Sequence, residues 1–223
     1  MPDTPPRATP RDRTPPPEAA AALPVSVRPA TPADAETMLT LIRALADYEK
    51  LDPPDADACG RLVHDAFGPS PRFNVLLAEI AAAGPAPGEP SECPDPKATP
   101  GGDVFLSSMI PAAAALENAD PTTPIVVGYA FMFETYSTFL ALPTLYLEDL
   151  FVLPEHRKRG AGSALFRAVV AEAGRRGCGR VEWVVLDWNM LARNFYHRVG
   201  ARHLDDWCYY RLTRDRFDAV PAL

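Results

Sequence analysis

The chain has 223 residues, 47% of them apolar, and a formal net charge of −7. That length suits one domain with tails or one domain with an insertion. The acidic balance argues against non-specific nucleic-acid binding and fits either a cationic ligand or an ordinary acidic soluble protein.

No apolar run reaches the roughly 20 residues that a membrane-spanning helix needs. The N-terminal stretch has no apolar segment and carries Asp3 and Glu18, which speaks against a secretory or transit peptide. A cytoplasmic protein with no membrane partner is therefore expected. Cys59, Cys93, Cys178 and Cys208 form no C-x-x-C pair, and His64, His156, His197 and His203 show no H-E-x-x-H spacing. The cysteines read as free thiols in a reducing compartment, and the histidine spacing indicates no metal site.

In chain order, residues 1–22 are rich in Pro, Thr, Arg and Ala and cannot bury enough apolar surface to order themselves. They read as a plain tail or as an extended ligand for a partner domain. A strand is expected over residues 25–28. Thr31 then caps a helix, with Pro32 at its first position and Asp34 at its third. Met38, Leu39, Leu41, Ile42 and Leu45 give that helix an apolar face, and Asp52-Pro53-Pro54 stops it after Tyr48 and Glu49. A second helix over residues 55–67 and a strand over 73–80 follow. Residues 81–124 break the pattern with Ala, Pro, Gly and Ser, and read as a surface insertion between adjacent strands.

A strand over 125–133 and a loop over 134–143 lead to the stretch that carries the chemistry. Leu145, Leu147, Leu150, Phe151 and Val152 read as a buried strand that Pro154 ends. Leu165, Phe166, Val169, Val170 and Ala173 form one apolar face of a helix. Between them lie Arg157, Lys158, Arg159, Gly160, Ala161, Gly162 and Ser163. The glycines allow a tight turn, and the first N–H groups of the helix point at one spot that attracts anions. A pyrophosphate suits that spot, although a purely structural turn has the same ingredients. The spacing is neither G-x-G-x-x-G nor G-K-[ST], which excludes the dinucleotide fingerprint and the P-loop. A strand over 180–187, a helix over 190–198 stopped by Gly200, and a closing strand over 207–212 complete a mixed α/β chain around one central sheet.

Arg28 to Asp34, the run Leu147-Glu148-Asp149-Leu150-Phe151-Val152, the R-x-x-G-x-G turn, and Asp187-Trp188-Asn189 followed by Asn194-Phe195-Tyr196 occur in that order. Together they resemble the GNAT N-acetyltransferase superfamily, in its spermidine/spermine (diamine) branch. The resemblance covers residues 23–214 apart from the insertion and leaves 215–223 as a tail.

It implies the GNAT fold, a mixed and mostly antiparallel sheet with splayed parallel strands flanked by helices. It implies acetyl-CoA as co-substrate, with no metal, and a homodimer. The main chain of Leu150, Phe151 and Val152 would contact pantetheine, residues 157–163 would hold the pyrophosphate, and Asn189, Ala192 and Tyr196 would face the coenzyme. Tyr196 would protonate the departing thiolate; the alternative is that it packs like Phe195. Glu148 would take the amine's proton through a water, or else be paired inside the sheet. Asp149 would face the other side unless a bulge intervenes. Tyr48 and Glu49 would touch the substrate or form a solvated helix end, and Glu182, Trp183 and Val184 would border the amine.

One position departs from the branch. Cys208 stands where the polyamine enzymes place an acidic anchor for the distal cation, with Asp205 and Asp206 nearby. The expected activity is acetylation of a small cationic amine (a diamine, a polyamine or a lysine-like amino acid). The competing readings are a protein lysine or N-terminal acetyltransferase and a non-catalytic coenzyme A-binding module.

Overall fold

The computed structural model describes residues 24–81 and 123–221. The N-terminal tail, Cys93 and nearly all of the expected insertion lie outside the described residues. The chain divides into two units, one ending at Trp183 and one beginning at Val184.

The first unit is built on a five-stranded sheet in the order β1-β2-β3-β4-β5. The strands are β1 (Val25–Pro29), β2 (Asn74–Ile80), β3 (Ile125–Ser137), β4 (Leu142–Val152) and β5 (Arg180–Glu182). The first three pairings are antiparallel and β4–β5 is parallel. Helices α1 (Ala35–Glu49) and α2 (Ala56–Phe67) cover one face. Met38, Leu39, Leu41 and Cys59 pack there on Phe73, Val75, Leu77, Tyr129, Phe131 and Phe151. The alternate residues Leu76, Ala78, Ala130 and Met132 are buried as well, and helix α3 (Ala161–Arg175) packs across β1 to β4. Leu165, Phe166, Val169 and Ala173 are its buried stripe. Two apolar layers on a sheet with period-2 side chains account for the architecture.

Local chemistry sets the helix starts. Asp34 Oδ2 accepts hydrogen bonds from the Thr31 N–H and Oγ1, both at 2.7 Å, and Arg28 holds the same carboxylate at 2.7 and 2.8 Å. Arg28 also pairs with Glu79 on β2 at 2.7 Å, so the β1–α1 turn is tied to the sheet. Asp55 caps α2 by accepting from the Ala58 N–H at 2.7 Å.

The sheet departs from the sequence reading in two places in this unit. The loop expected over 134–143 is instead the end of a hairpin, with Glu134 opposite Leu145 and Ser137 opposite Leu142. The strand expected over 180–187 stops at Glu182 and pairs only with Thr144, Leu145 and Tyr146. From Leu147 to Val152, β4 is therefore paired on its β3 side alone among the described residues, as a splay between parallel strands requires.

The second unit holds α4 (Met190–Arg198) and a short 3-10 turn (Arg214–Ala219). Helix α4 ends as expected. Gly200 takes φ +86, its N–H reaches His197 O at 3.1 Å, and the Ala201 N–H reaches Tyr196 O at 3.0 Å, which is the Schellman pattern. The strand expected over 207–212 is not formed among the described residues. Its Trp and Tyr residues suit a strand, but a strand exists only where a second edge accepts its N–H and C=O groups.

Candidate active site

The β3–β4 ladder slips by one residue at Glu148. Phe131 pairs with Asp149 and Met132 with Leu147, so Glu148 is an extra residue on β4. A bulge of this kind swaps the faces of everything beyond it. Before it, Tyr146 lies opposite Phe133, which packs on the α1/α2 core. After it, Asp149 and Phe151 take that face, opposite Phe131 and Tyr129. The bulge thus brings Asp149, which simple alternation would put on the other side, to the face where α1 ends.

Tyr129 is fully buried, and its O–H donates to Asp149 Oδ2 at 3.0 Å. Burial pushes the Asp149 carboxyl up to about 6; the Tyr129 hydrogen bond opposes this, and the negative charges of Glu148 and Glu49 reinforce it. Burial also raises Glu49. The Tyr129 hydroxyl is held well above the usual phenol range, by burial first and then by the charge of Asp149. Glu148 from β4 and Glu49 from α1 thus act on Asp149, and Glu148 is the exposed one of the three.

Aromatic packing fastens α1 to β4. The Tyr48 ring lies 6.2 Å from Phe151, and Phe151 lies 6.3 Å from Tyr129. The Arg157 guanidinium sits 4.4 Å from the Tyr48 ring centre and 5.6 Å from that of Phe151, while its Nε donates to Val152 O at 2.8 Å. Of the three basic residues expected beside the phosphate, Arg157 therefore turns inward and braces the turn. Lys158 and Arg159 are exposed.

Past Val152 the chain makes a 3-10 turn at Pro154–His156, and α3 starts at Ala161. Only one of the two glycines does the turning. Gly160 takes φ +93, whereas Gly162 lies in the first turn of α3. A Cβ on Gly162 would meet only Val152 Cγ2, at 3.8 Å. The N–H groups of Ala161, Gly162 and Ser163 are first-turn donors without helical acceptors. With the open space at Gly162 and the two exposed cations, this turn fits a pyrophosphate. The edge of β4 at Leu150, Phe151 and Val152 that lacks a strand partner among the described residues, and of which Arg157 Nε engages Val152 O, fits an extended amide chain such as pantetheine.

Several of the remaining expected residues make structural contacts. Glu182 pairs with Arg180 at 3.0 Å, and Trp183 meets Phe166 edge-on at 5.5 Å. In the second unit Val184 is exposed, and Asn189 caps α4 by accepting from the Ala192 N–H at 3.1 Å. Tyr196 lies on α4 with its ring 5.4 Å from that of Phe195. Among the described residues no group of three His, Cys, Asp or Glu is placed to hold a metal ion, and no helix is long and apolar enough to cross a membrane. Sequence reasoning missed Tyr129 and the position of Asp149, because a bulge leaves no mark in hydrophobic alternation.

A basic, glycine-containing turn at a helix start beside an open strand edge and a carboxylate group suits an acyl-CoA-dependent transferase. The chain matches the model of the acetyltransferase (GNAT) family over residues 98–201. It is 31% identical over 208 residues to L-ornithine N5-acetyltransferase NATA1 of Arabidopsis thaliana, across 88% of both chains. It is 34% identical over 182 residues to thialysine N-epsilon-acetyltransferase of Bos taurus, covering 82% of this chain and 86% of that one. Among solved structures, an integron cassette protein of V. cholerae shares the fold with a TM-score of 0.59 at 17% identity, over 87% of this chain and 96% of that one. The chain belongs to the GNAT acetyltransferase family. It is an acetyl-CoA-dependent acyltransferase that acts on amines.

Proposed function

We propose that the acceptor is a short cationic primary amine, a diamine or an amino acid with a lysine- or ornithine-like side chain. The observation that carries this reading is the group formed by Glu49, Glu148 and Asp149 where α1 meets the β4 bulge. Three carboxylates in a half-buried setting attract an ammonium and disfavour an anionic acceptor. The two relatives named for ornithine and thialysine acetylation agree with this choice.

Acetyl-CoA supplies the acetyl group as an activated thioester. On this reading the N–H groups of Ala161, Gly162 and Ser163, with Lys158 and Arg159, hold its pyrophosphate, and the free edge of Leu150 to Val152 aligns its amide chain. The carboxylates hold the ammonium and accept its proton, which exposes the nitrogen lone pair. Tyr196 gives a proton to the departing thiolate. Asn189, which caps α4, orients the helix that carries Tyr196.

A long polyamine needs a further anionic anchor, and Cys208 stands at the position where the polyamine enzymes carry one. A thiol is mostly neutral at pH 7. Losing one exposed charge contact costs on the order of 1 kcal/mol, so the preference is graded. The test is kcat/KM for ornithine, a lysine analogue, 1,3-diaminopropane, tyramine, spermidine and spermine under one condition. Short diamines and ornithine are expected to lead. A preference for spermine over every short amine would contradict the reading, and reaction with a peptide lysine alone would replace it with protein acetylation. In the same assay Tyr196→Phe is expected to lower kcat about 100-fold with coenzyme binding retained; unchanged kcat would remove Tyr196 from its role.

A further inference from the structure

We propose that Asp149, held in place by the buried hydroxyl of Tyr129, is the group that takes the proton from the acceptor's ammonium, and that Tyr129 is its positioning residue. The inference rests on the amine-acetylating reading above and assigns a role within that site.

The first support is the pairing itself. Tyr129 sits in a core layer that is otherwise made of Met, Leu, Val, Phe and Cys side chains. A phenol there bears a desolvation cost unless its hydroxyl is bonded. Its one side-chain hydrogen bond is to Asp149 Oδ2, at 3.0 Å. Phenylalanine would fill the same space, so the hydroxyl serves Asp149 rather than the core.

The second support is the bulge. Without the extra residue at Glu148, alternation would put Asp149 on the α3 face, away from Tyr48 and Glu49. The slip brings it to the face where Glu49 and Glu148 act on it. Tyr129 bonds to Oδ2, and no hydrogen bond among the described residues engages Oδ1, so Oδ1 can accept from a ligand.

The third support is the chemical setting. Facing or flanking Asp149 are Tyr129 from β3, Glu148 from β4 and Glu49 from α1, with the Arg157 cation stacked on the neighbouring Phe151. Burial and the two carboxylates raise its proton affinity toward neutrality, where a general base works best. In the step itself, one N–H bond of the ammonium breaks and its electron pair stays on nitrogen. The proton goes to Asp149 Oδ1, giving a neutral carboxyl that returns it to water after the product leaves. Glu148 and Glu49 hold the cation.

The experiment is the pH dependence of kcat/KM for the best acceptor of the panel, in the wild type and in Tyr129→Phe, Glu148→Gln and Asp149→Asn. The wild type is expected to lose activity below about pH 6. Removing the Tyr129 hydrogen bond takes away a term that favours ionised Asp149, so Tyr129→Phe should move that acid limb up by about one pH unit, with activity above pH 8 within a few-fold of wild type. Removing the Glu148 charge should move it down. Asp149→Asn should lower kcat about 100-fold and abolish the limb. Carbon-13 NMR of the aspartate carboxyls in the free protein should show one group titrating near the limb and shifting upward in Tyr129→Phe, a readout that needs no acceptor. An acid limb unmoved in Tyr129→Phe, or Asp149→Asn turnover within about threefold of wild type, overturns the assignment. A wild type that acetylates no amine overturns the acceptor reading as well.

Discussion

At Asp149 the protein accepts a stability cost. A carboxyl that is ordinarily near 4 but is raised to about 6 in the fold ionises first in the unfolded chain. Stability is therefore lost as pH rises from about 4 to 6, and the deficit persists at neutral pH. Asp149→Asn keeps an oxygen acceptor for Tyr129 and removes the charge. It is expected to stabilise the protein at pH 7.5 by about 1–2 kcal/mol, less than the full value of the shift because the residue is only partly shielded. The gain should vanish below about pH 4, and thermal unfolding at the two pH values checks it. Asp34 shows the opposite sign. Its hydrogen bonds to Arg28, and then to Thr31, outweigh burial and hold the carboxyl well below the usual range. It contributes stability above about pH 4 that is lost as the pH falls further.

Among the elements, the β4–turn–α3 connection separates two jobs that a glycine-rich motif merges. Gly160 serves the backbone, since φ +93 would strain any residue with a Cβ. Gly162 is helical, and a side chain there meets almost nothing in the protein, so on the proposed reading its space is left to the ligand. Gly162→Val is thus expected to fold with a melting temperature close to wild type while coenzyme A affinity falls at least tenfold. Calorimetric titration that shows unchanged affinity would remove the pyrophosphate from this turn. Arg157 links this element to α1 through Tyr48 and to the strand end through Val152, so the proposed phosphate turn and the proposed acceptor carboxylates share one brace.

For the molecule as a whole, the expected insertion leaves and rejoins the sheet at a single point, because Ile80 at the end of β2 lies directly opposite Ile125 at the start of β3. A hairpin-length connection can bridge that pair. Replacing residues 82–122 with about five Gly/Ser residues is expected to leave an active, folded enzyme. Shortening the loop by about three doublings should add up to about 2 kcal/mol to stability through closure entropy. Urea unfolding and the thiol-release assay measure both outcomes, and loss of fold together with activity would show that the segment is part of the core.

Much was legible without coordinates wherever the cause is local. The cap at Thr31 and Asp34, the Asp55 start of α2, the span of α4 and its Gly200 stop all follow from side chains that act within a few residues. The strand–turn–helix context of Gly160 was legible for the same reason, and the ordered motifs pointed to the acetyltransferase family. Tertiary structure alone decided the rest. Whether residues 134–137 are loop or strand, and whether 183–187 and 207–212 join a ladder, depends on partner edges distant in sequence. Only the fold reveals that the Arg157 guanidinium stacks on Tyr48. The bulge at Glu148 decided most, because one unpaired residue exchanges the two faces of a strand and thereby chooses which carboxylate meets Tyr129.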